Sequence, residues 1–165
     1  MTEDQPGPAL WDFSLALYAR EPVKLAALAL QESGLDVNLA FWIVWLAAGR
    51  RDPQPSLGEA MRVAADWHAL AVGPLRGVRD RLKVTQAPVP PDGALALRRQ
   101  VLAAELEAER IAQTMLEGLP APVQEGRHGV RDAGLAALEH YAARQGVRAP
   151  VHAFIEAVFS ALEKE

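Results

Sequence analysis

The chain has 165 residues, half of them apolar, which is enough for one domain with a core of its own. Its 17 basic and 21 acidic side chains leave a net charge of −4, which argues against a dedicated binder of nucleic acid or of an anionic membrane surface. Cysteine is absent, which removes disulfides, thiolate catalysis and thiolate-ligated zinc. The first residues, Met1 to Pro8, are acidic and have neither the basic start nor the apolar centre of a signal peptide. The longest uninterrupted apolar run, Leu39 to Ala48, is ten residues, well short of the ~20 that cross a bilayer. These features describe a soluble cytoplasmic protein without membrane insertion, a single helical domain over 1–165 with a flexible N-terminus at 1–7.

Alanine and leucine dominate and β-branched residues are few, so helix is favoured throughout. A first helix is expected over Pro8–Arg20, and a second over Val23–Ser33, opened by Pro22 and closed by Gly34. Asp36 stands where a carboxylate caps a helix by accepting a backbone N–H of its first turn. The helix it caps runs to Gly49 and is apolar on every side, the mark of a central element. Arg50 and Arg51 complement its negative end.

After the turn Asp52-Pro-Gln-Pro55, Ser56-Leu-Gly-Glu59 has the form of a capping box for a fourth helix ending near Val72, with Met61, Ala64, Ala65 and His68 on its apolar side. Gly73-Pro74 is expected to break or kink the chain before a short basic helix, Pro74–Lys83. Residues 84–93 hold three prolines and form a linker. The longest helix is expected over Ala94–Glu117, with Leu97, Val101, Ala104, Ala108, Ile111 and Met115 as its apolar stripe, widened by Leu102, Leu106 and Leu116. A loop, Pro120–Gly129, precedes two final helices, Val130–Gln145 and the amphipathic Pro150–Glu163. The whole is an all-α, compact bundle of seven or eight helices, because helices of ten to fifteen residues do not build cores alone.

Several of these segments carry a resemblance. Leu10-Trp-Asp-Phe-Ser-Leu15, Tyr18, Leu30-Gln31, Gly34-Leu-Asp-Val-Asn-Leu39, Trp67, Pro74-Leu-Arg-Gly-Val-Arg79 and Glu105-Leu-Glu-Ala-Glu-Arg110 resemble a family of short bacterial proteins known only as a domain of unknown function. The likeness covers about residues 10 to 117. It departs at Glu21-Pro22-Val23, where the family pattern has Pro-Gly-Val, and at the less basic 79–83. It implies a small helical cytoplasmic protein and carries no activity or catalytic residue.

Chemistry-bearing residues are few. Glu105 and Glu109, four apart, share one helix face near Arg98 and Arg110. A di-metal centre would need Glu-x-x-His on partner helices, whereas Glu139 and His140 are adjacent, so salt bridges to Arg76 and Arg79 are expected instead. Asp36 and Asn38 read as a cap and an amide satisfied by neighbouring backbone, or as one side of a polar site in which the helix N-terminus, Arg76 and Arg79 hold an anion. Arg76, Arg79, Arg81 and Lys83 form a basic patch without the interleaved aromatics of an RNA platform. His68, His128, His140 and His152 have no metal-ligand spacing. Ser14, Ser33, Ser56 and Ser160 lie in no nucleophile elbow. Trp11, Trp42, Trp45 and Trp67 read as core.

No catalytic residue, metal or cofactor is therefore expected. The leading functional reading is a non-enzymatic protein that binds another macromolecule or itself, through the C-terminal amphipathic helix and the central tryptophans. The alternative is a small-molecule or anion binder, or an enzyme, with a polar pocket of Asp36, Asn38, Arg76, Arg79, Glu105 and Glu109. RNA contact through 76–83, with steep salt dependence, is the least favoured. Convergence of the six residues on a cavity discriminates for the pocket, and an exposed apolar patch with dispersed polar groups discriminates against it.

Overall fold

The run expected to be central lies at the centre. In the computed structural model, which describes residues 8–126 and 129–164, α3 (Val37–Ala48) buries residues on all its sides, from Leu39 and Phe41 to Trp42, Ile43, Val44 and Leu46. The stretch 1–7, expected to be flexible, and His128 lie outside the described residues. Around α3 pack α1 (Leu10–Tyr18), α2 (Glu21–Glu32), α4 (Leu57–Trp67), α6 (Pro91–Glu117) and α7 (Val130–Gln145). α5 (Gly73–Arg81) lies along α6, and α8 (Val151–Leu162) packs on α2 and α7. The architecture is all-α, and no described helix is long and apolar enough to cross a membrane.

Local chemistry explains most of the boundaries. Pro22 sits in the first turn of α2, where a helix has no use for its missing N–H. Gly34 takes φ +100°, a conformation open to glycine, and reverses the chain so that Leu35 N–H returns to Leu30 O at 3.2 Å. Asp36 then caps α3, accepting the Asn38 N–H at 2.8 Å. On the far side of α3, Gly134 lets α7 approach closely. A Cβ there would stand 3.3 Å from Ile155 Cδ1 and 3.4 Å from Ala47 Cβ. Phe41 and Phe154 join α3 to α8 edge to face, with ring centres 5.5 Å apart.

Three expectations need correction. Ser56 makes no cap. It ends a short 3₁₀ turn, Gln54–Ser56, and its hydroxyl donates to Pro120 O. The segment around it is tied to the 120–124 loop, with Asp52 N–H on Pro122 O and Gln124 N–H on Arg50 O, both at 2.8 Å, and that pairing carries the hydroxyl to its partner.

Nor do Gly73-Pro74 break the chain. α4 passes into α5 through a π-helical segment, His68–Val72, with helical dihedrals maintained at Val72 and Gly73. Pro74 has no N–H to give an α-helical ladder, and a widened turn just before it accommodates that loss without ending the helix.

The buried face of α6 is also displaced from the expected stripe. Leu97 and Ile111 are exposed, and the side facing the molecule carries the expected Ala108 and Leu116 together with Ala94, Glu105, Ala112 and Gln113. An apolar count misses this face because its centre is a charge, Glu105, neutralised by arginines across the groove. α6 also starts at Pro91, inside the stretch expected to be linker.

Candidate functional site

Arg76 and Arg79 are three apart on α5 and project from one face, as Glu105 and Glu109 do on the facing α6. The Arg76 fork spans both acids, Nε donating to Glu105 Oε1 at 2.9 Å and Nη2 to Glu109 Oε1 at 2.8 Å. Arg79 Nη1 stands 3.2 Å from Glu105 Oε2, a charge contact, while its Nη2 reaches Asp80 Oδ1 at 3.4 Å. Glu105 is 3% exposed. A carboxylate so buried is tolerable only with charge opposite it, and here two guanidiniums supply that charge.

The second wall is the start of α3. Asp36 is held twice, its side chain by the Asn38 N–H and its own N–H by the Tyr141 hydroxyl at 2.9 Å. Asn38 Oδ1 accepts from Gln113 Nε2 at 2.8 Å, a side-chain partner on α6 rather than the neighbouring backbone expected from sequence. Between these walls lies a cavity of about 800 Å³. Asp36, Asn38, Arg76, Arg79, Glu105 and Glu109 all line it, together with the aromatic side chains of Trp11, Tyr18, Phe41 and Trp67.

The site includes residues to which sequence reading gave other roles. Trp11 and Trp67, read as core, are half-buried cavity walls, and Trp67 is oriented by its indole N–H on Ala108 O at 2.8 Å. His68, placed with the apolar positions of the fourth helix, borders the cavity at the first residue of the π segment. Gly73 makes that wide turn possible, since a Cβ there would lie 3.0 Å from His68 O. Ser14, Gln31, Gln113, Tyr141 and Gln145 add to the polar lining. For Trp67 the available signal was its place in the family pattern. Ser14 had the same signal, from its place in Leu10-Trp-Asp-Phe-Ser-Leu15. Gln113 and Tyr141 gave none, because their positions depend on how helices distant in sequence pack.

The electrostatics follow from burial. Burial pushes the Asp36 carboxyl above its ordinary value, against the backbone N–H groups of Asn38 and Leu39 and the charges of His68 and Arg76, which pull it down. Glu109 is likewise raised, first by burial and then by the neighbouring charges of Glu105 and Asp36, with Arg76 opposing. Burial works against the charge on Arg76, but its bond to Glu105 and the charges of Glu109 and Glu105 more than offset this and hold its pKa up. Tyr141 is pushed up to about 12, mainly by burial, so its hydroxyl stays neutral as the acceptor of the Asp36 N–H. Three carboxylates (Asp36, Glu105, Glu109) stand against two guanidiniums (Arg76, Arg79) in the lining, a formal balance of −1 among these five groups. Such a lining can orient a polar group and trade a proton with it at Asp36 or Glu109. Among the described residues, no group of three or more His, Asp or Glu is arranged to hold a metal ion.

The other basic side chains near α5 are locally engaged, Lys83 with Asp80 at 2.9 Å and Arg81 with Gly77 O at 3.1 Å. The histidines beyond the cavity serve surface contacts, His140 with Gln54 and His152 with Glu139.

Residues 9–116 match the model of a family described as protein of unknown function (DUF2390), and the chain belongs to that family. The match takes in all six polar residues and ends in α6, before α7 and α8. No curated protein and no solved structure matches the chain.

Proposed function

We propose that this member of the family binds a small organic molecule in the cavity between α1, the start of α3, α4, α5 and α6. One observation carries the reading. Six polar residues from three helical segments converge with four aromatic side chains on a single cavity of about 800 Å³, within the roughly 300–1,000 Å³ usual for ligand pockets. Aromatic walls with a few converging polar groups provide burial and orientation respectively. The same polar residues dispersed over the surface would have supported no such role.

Ala65 offers a way to test the reading without disturbing the core, because it lines the cavity yet is exposed. Wild-type protein and Ala65→Trp are incubated with a small-molecule extract, washed and denatured, and the released compounds are compared by mass spectrometry. Compounds retained by the wild type and lost from Ala65→Trp are expected. Identical profiles from two folded proteins would overturn the proposal.

A second reading, docking of an apolar segment from another protein or a second copy, is favoured by the cavity rim. Leu15, Leu28 and Leu106 line the mouth and are 51%, 38% and 48% exposed, a larger apolar edge than a small polar ligand requires. Sedimentation of the wild type against Leu15→Ser with Leu106→Ser tests self-association at this edge. A dimer dissociated by the substitutions would support docking of a second copy, and a monomer at every concentration would exclude it.

A further inference from the structure

We propose that the ligand of this cavity is a small organic cation, an ammonium or amidinium group on an apolar body, with its charge beside Asp36 and Glu109 and its body against Trp11, Tyr18, Phe41 and Trp67. The inference rests on the cavity being a binding site and adds the sign of the charge that it selects.

Four observations lead to it. Most of the donors an anion would need are engaged, although Arg79 Nε has no hydrogen-bond partner. Arg76 is divided between Glu105 and Glu109, Arg79 faces Glu105 and Asp80, the Asn38 N–H is held by Asp36, and the Trp67 indole by Ala108 O. An incoming phosphate or carboxylate would have to displace carboxylates fixed in the fold, at a cost in both contact and repulsion.

Acceptors, by contrast, remain. The Asp36 carboxylate is held by backbone N–H groups, and among the described residues the charges of His68 and Arg76 reach it without a direct ion pair. Gln113 Oε1 and Ser14 Oγ, on residues 3% and 5% exposed, have no hydrogen-bond partner. A lining with more unpartnered acceptors than unpartnered donors complements a group that only donates, which is what an ammonium or amidinium is.

The formal balance of carboxylates and guanidiniums in the lining has the same sign, −1 from three against two. The aromatic side chains supply the third element of a cation site, since ring faces attract desolvated cations. Burial raises both Asp36 and Glu109, and a bound cation would relieve that penalty by stabilising their ionised forms.

The test uses probes matched in shape and differing in charge: phenethylammonium, 2-phenylethanol and 3-phenylpropionate, and the corresponding indole series led by tryptamine. Each is titrated into the full-length protein at low ionic strength, with affinity from calorimetry and location from amide shifts. The ammonium compounds are expected to bind in the cavity roughly tenfold or more tighter than the carboxylates. Asp36→Asn keeps an N-capping side chain and is expected to lower ammonium affinity to that of the alcohol while leaving the alcohol unchanged. Carboxylates binding in the cavity as tightly as ammonium compounds would overturn the cation assignment and leave the binding site standing. Ammonium affinity unchanged in both Asp36→Asn and Glu109→Gln would overturn it too. If no probe of either series shifts a cavity residue, the binding site itself fails with it.

Discussion

Glu105 is the residue whose removal the fold should feel most. Truncating it leaves Arg76 with Glu109 alone and Arg79 with Asp80 alone, on side chains only 29% and 22% exposed. Glu105→Ala is therefore expected to destabilise the protein by about 3 kcal/mol, the scale of a broken buried pair, read from urea denaturation. A loss below ~0.5 kcal/mol would mean that the groove is open to water. Asp36 acts in two ways at once. Asp36→Ala should cost about 1 kcal/mol through the lost cap, whereas Asp36→Asn preserves the cap and changes only the charge. Because the folded-state pKa of Asp36 is raised, its contribution to stability is fully present below the unfolded carboxylate range and is lost as pH rises through the folded value. The stability difference between Asp36→Asn and wild type should accordingly shift in favour of Asn as pH is raised from 4 to 7. A difference independent of pH would contradict the raised pKa. The Asp36 cap could be read from spacing alone, since it depends on positions within one turn. For the arginines and glutamates spacing shows only that each pair shares a helix face, because the pairing itself joins residues 29 and 33 apart. The role of Ser56 could not be read, because its partner, Pro120, lies 64 residues away and the competing capping motif was intact in the sequence.

At the scale of elements, the π segment between α4 and α5 is the feature that shapes the site, and two glycines distinguish it from ordinary helix. At Gly73 a Cβ would lie 3.0 Å from His68 O, a backbone atom that cannot give way. At Gly77, one turn on, the nearest atom is the far end of Arg81 at 3.5 Å. Gly73→Ala should thus destabilise by about 1 kcal/mol net of its gain in helix propensity, and Gly77→Ala should stabilise by about 0.5 kcal/mol. Thermal denaturation of the two variants side by side checks both signs, and equal shifts would argue for a regular α-helix through 68–81. The sequence shows Gly73-Pro74 clearly but leaves open whether such a pair stops a helix or widens it, since the outcome depends on what packs against the turn. Helix α6 makes a related point. Leu97, Ala104 and Ile111 keep a helical period, yet the buried face follows Ala94, Glu105, Ala108 and Ala112. Small residues and a paired acid let α5 and α3 come close, and hydrophobic periodicity does not register them.

For the molecule as a whole, the sequence is clear on class and silent on convergence. The all-apolar run 39–48, the proline and glycine punctuation and the scarcity of β-branched residues are sufficient for an all-α bundle around α3. That Asp36, Arg76 and Glu109 meet at one cavity depends on packing angles among α3, α5 and α6, which no single stretch encodes. The four tryptophans divide in a way that makes this testable. Trp11 and Trp67 line the cavity. Trp42 is fully buried in the core, and Trp45 is bonded through its indole to Pro8 O and covered by Arg51, 5.6 Å from its ring centre. The most direct measurement of the binding-site claim follows the four indole N–H signals by nuclear magnetic resonance during titration with tryptamine and its alcohol and carboxylate counterparts. Movement of the Trp11 and Trp67 signals, with Trp42 and Trp45 still, is the expected result. Signals that all stay fixed across the series, or a response centred on Trp45, would contradict a ligand site in this cavity.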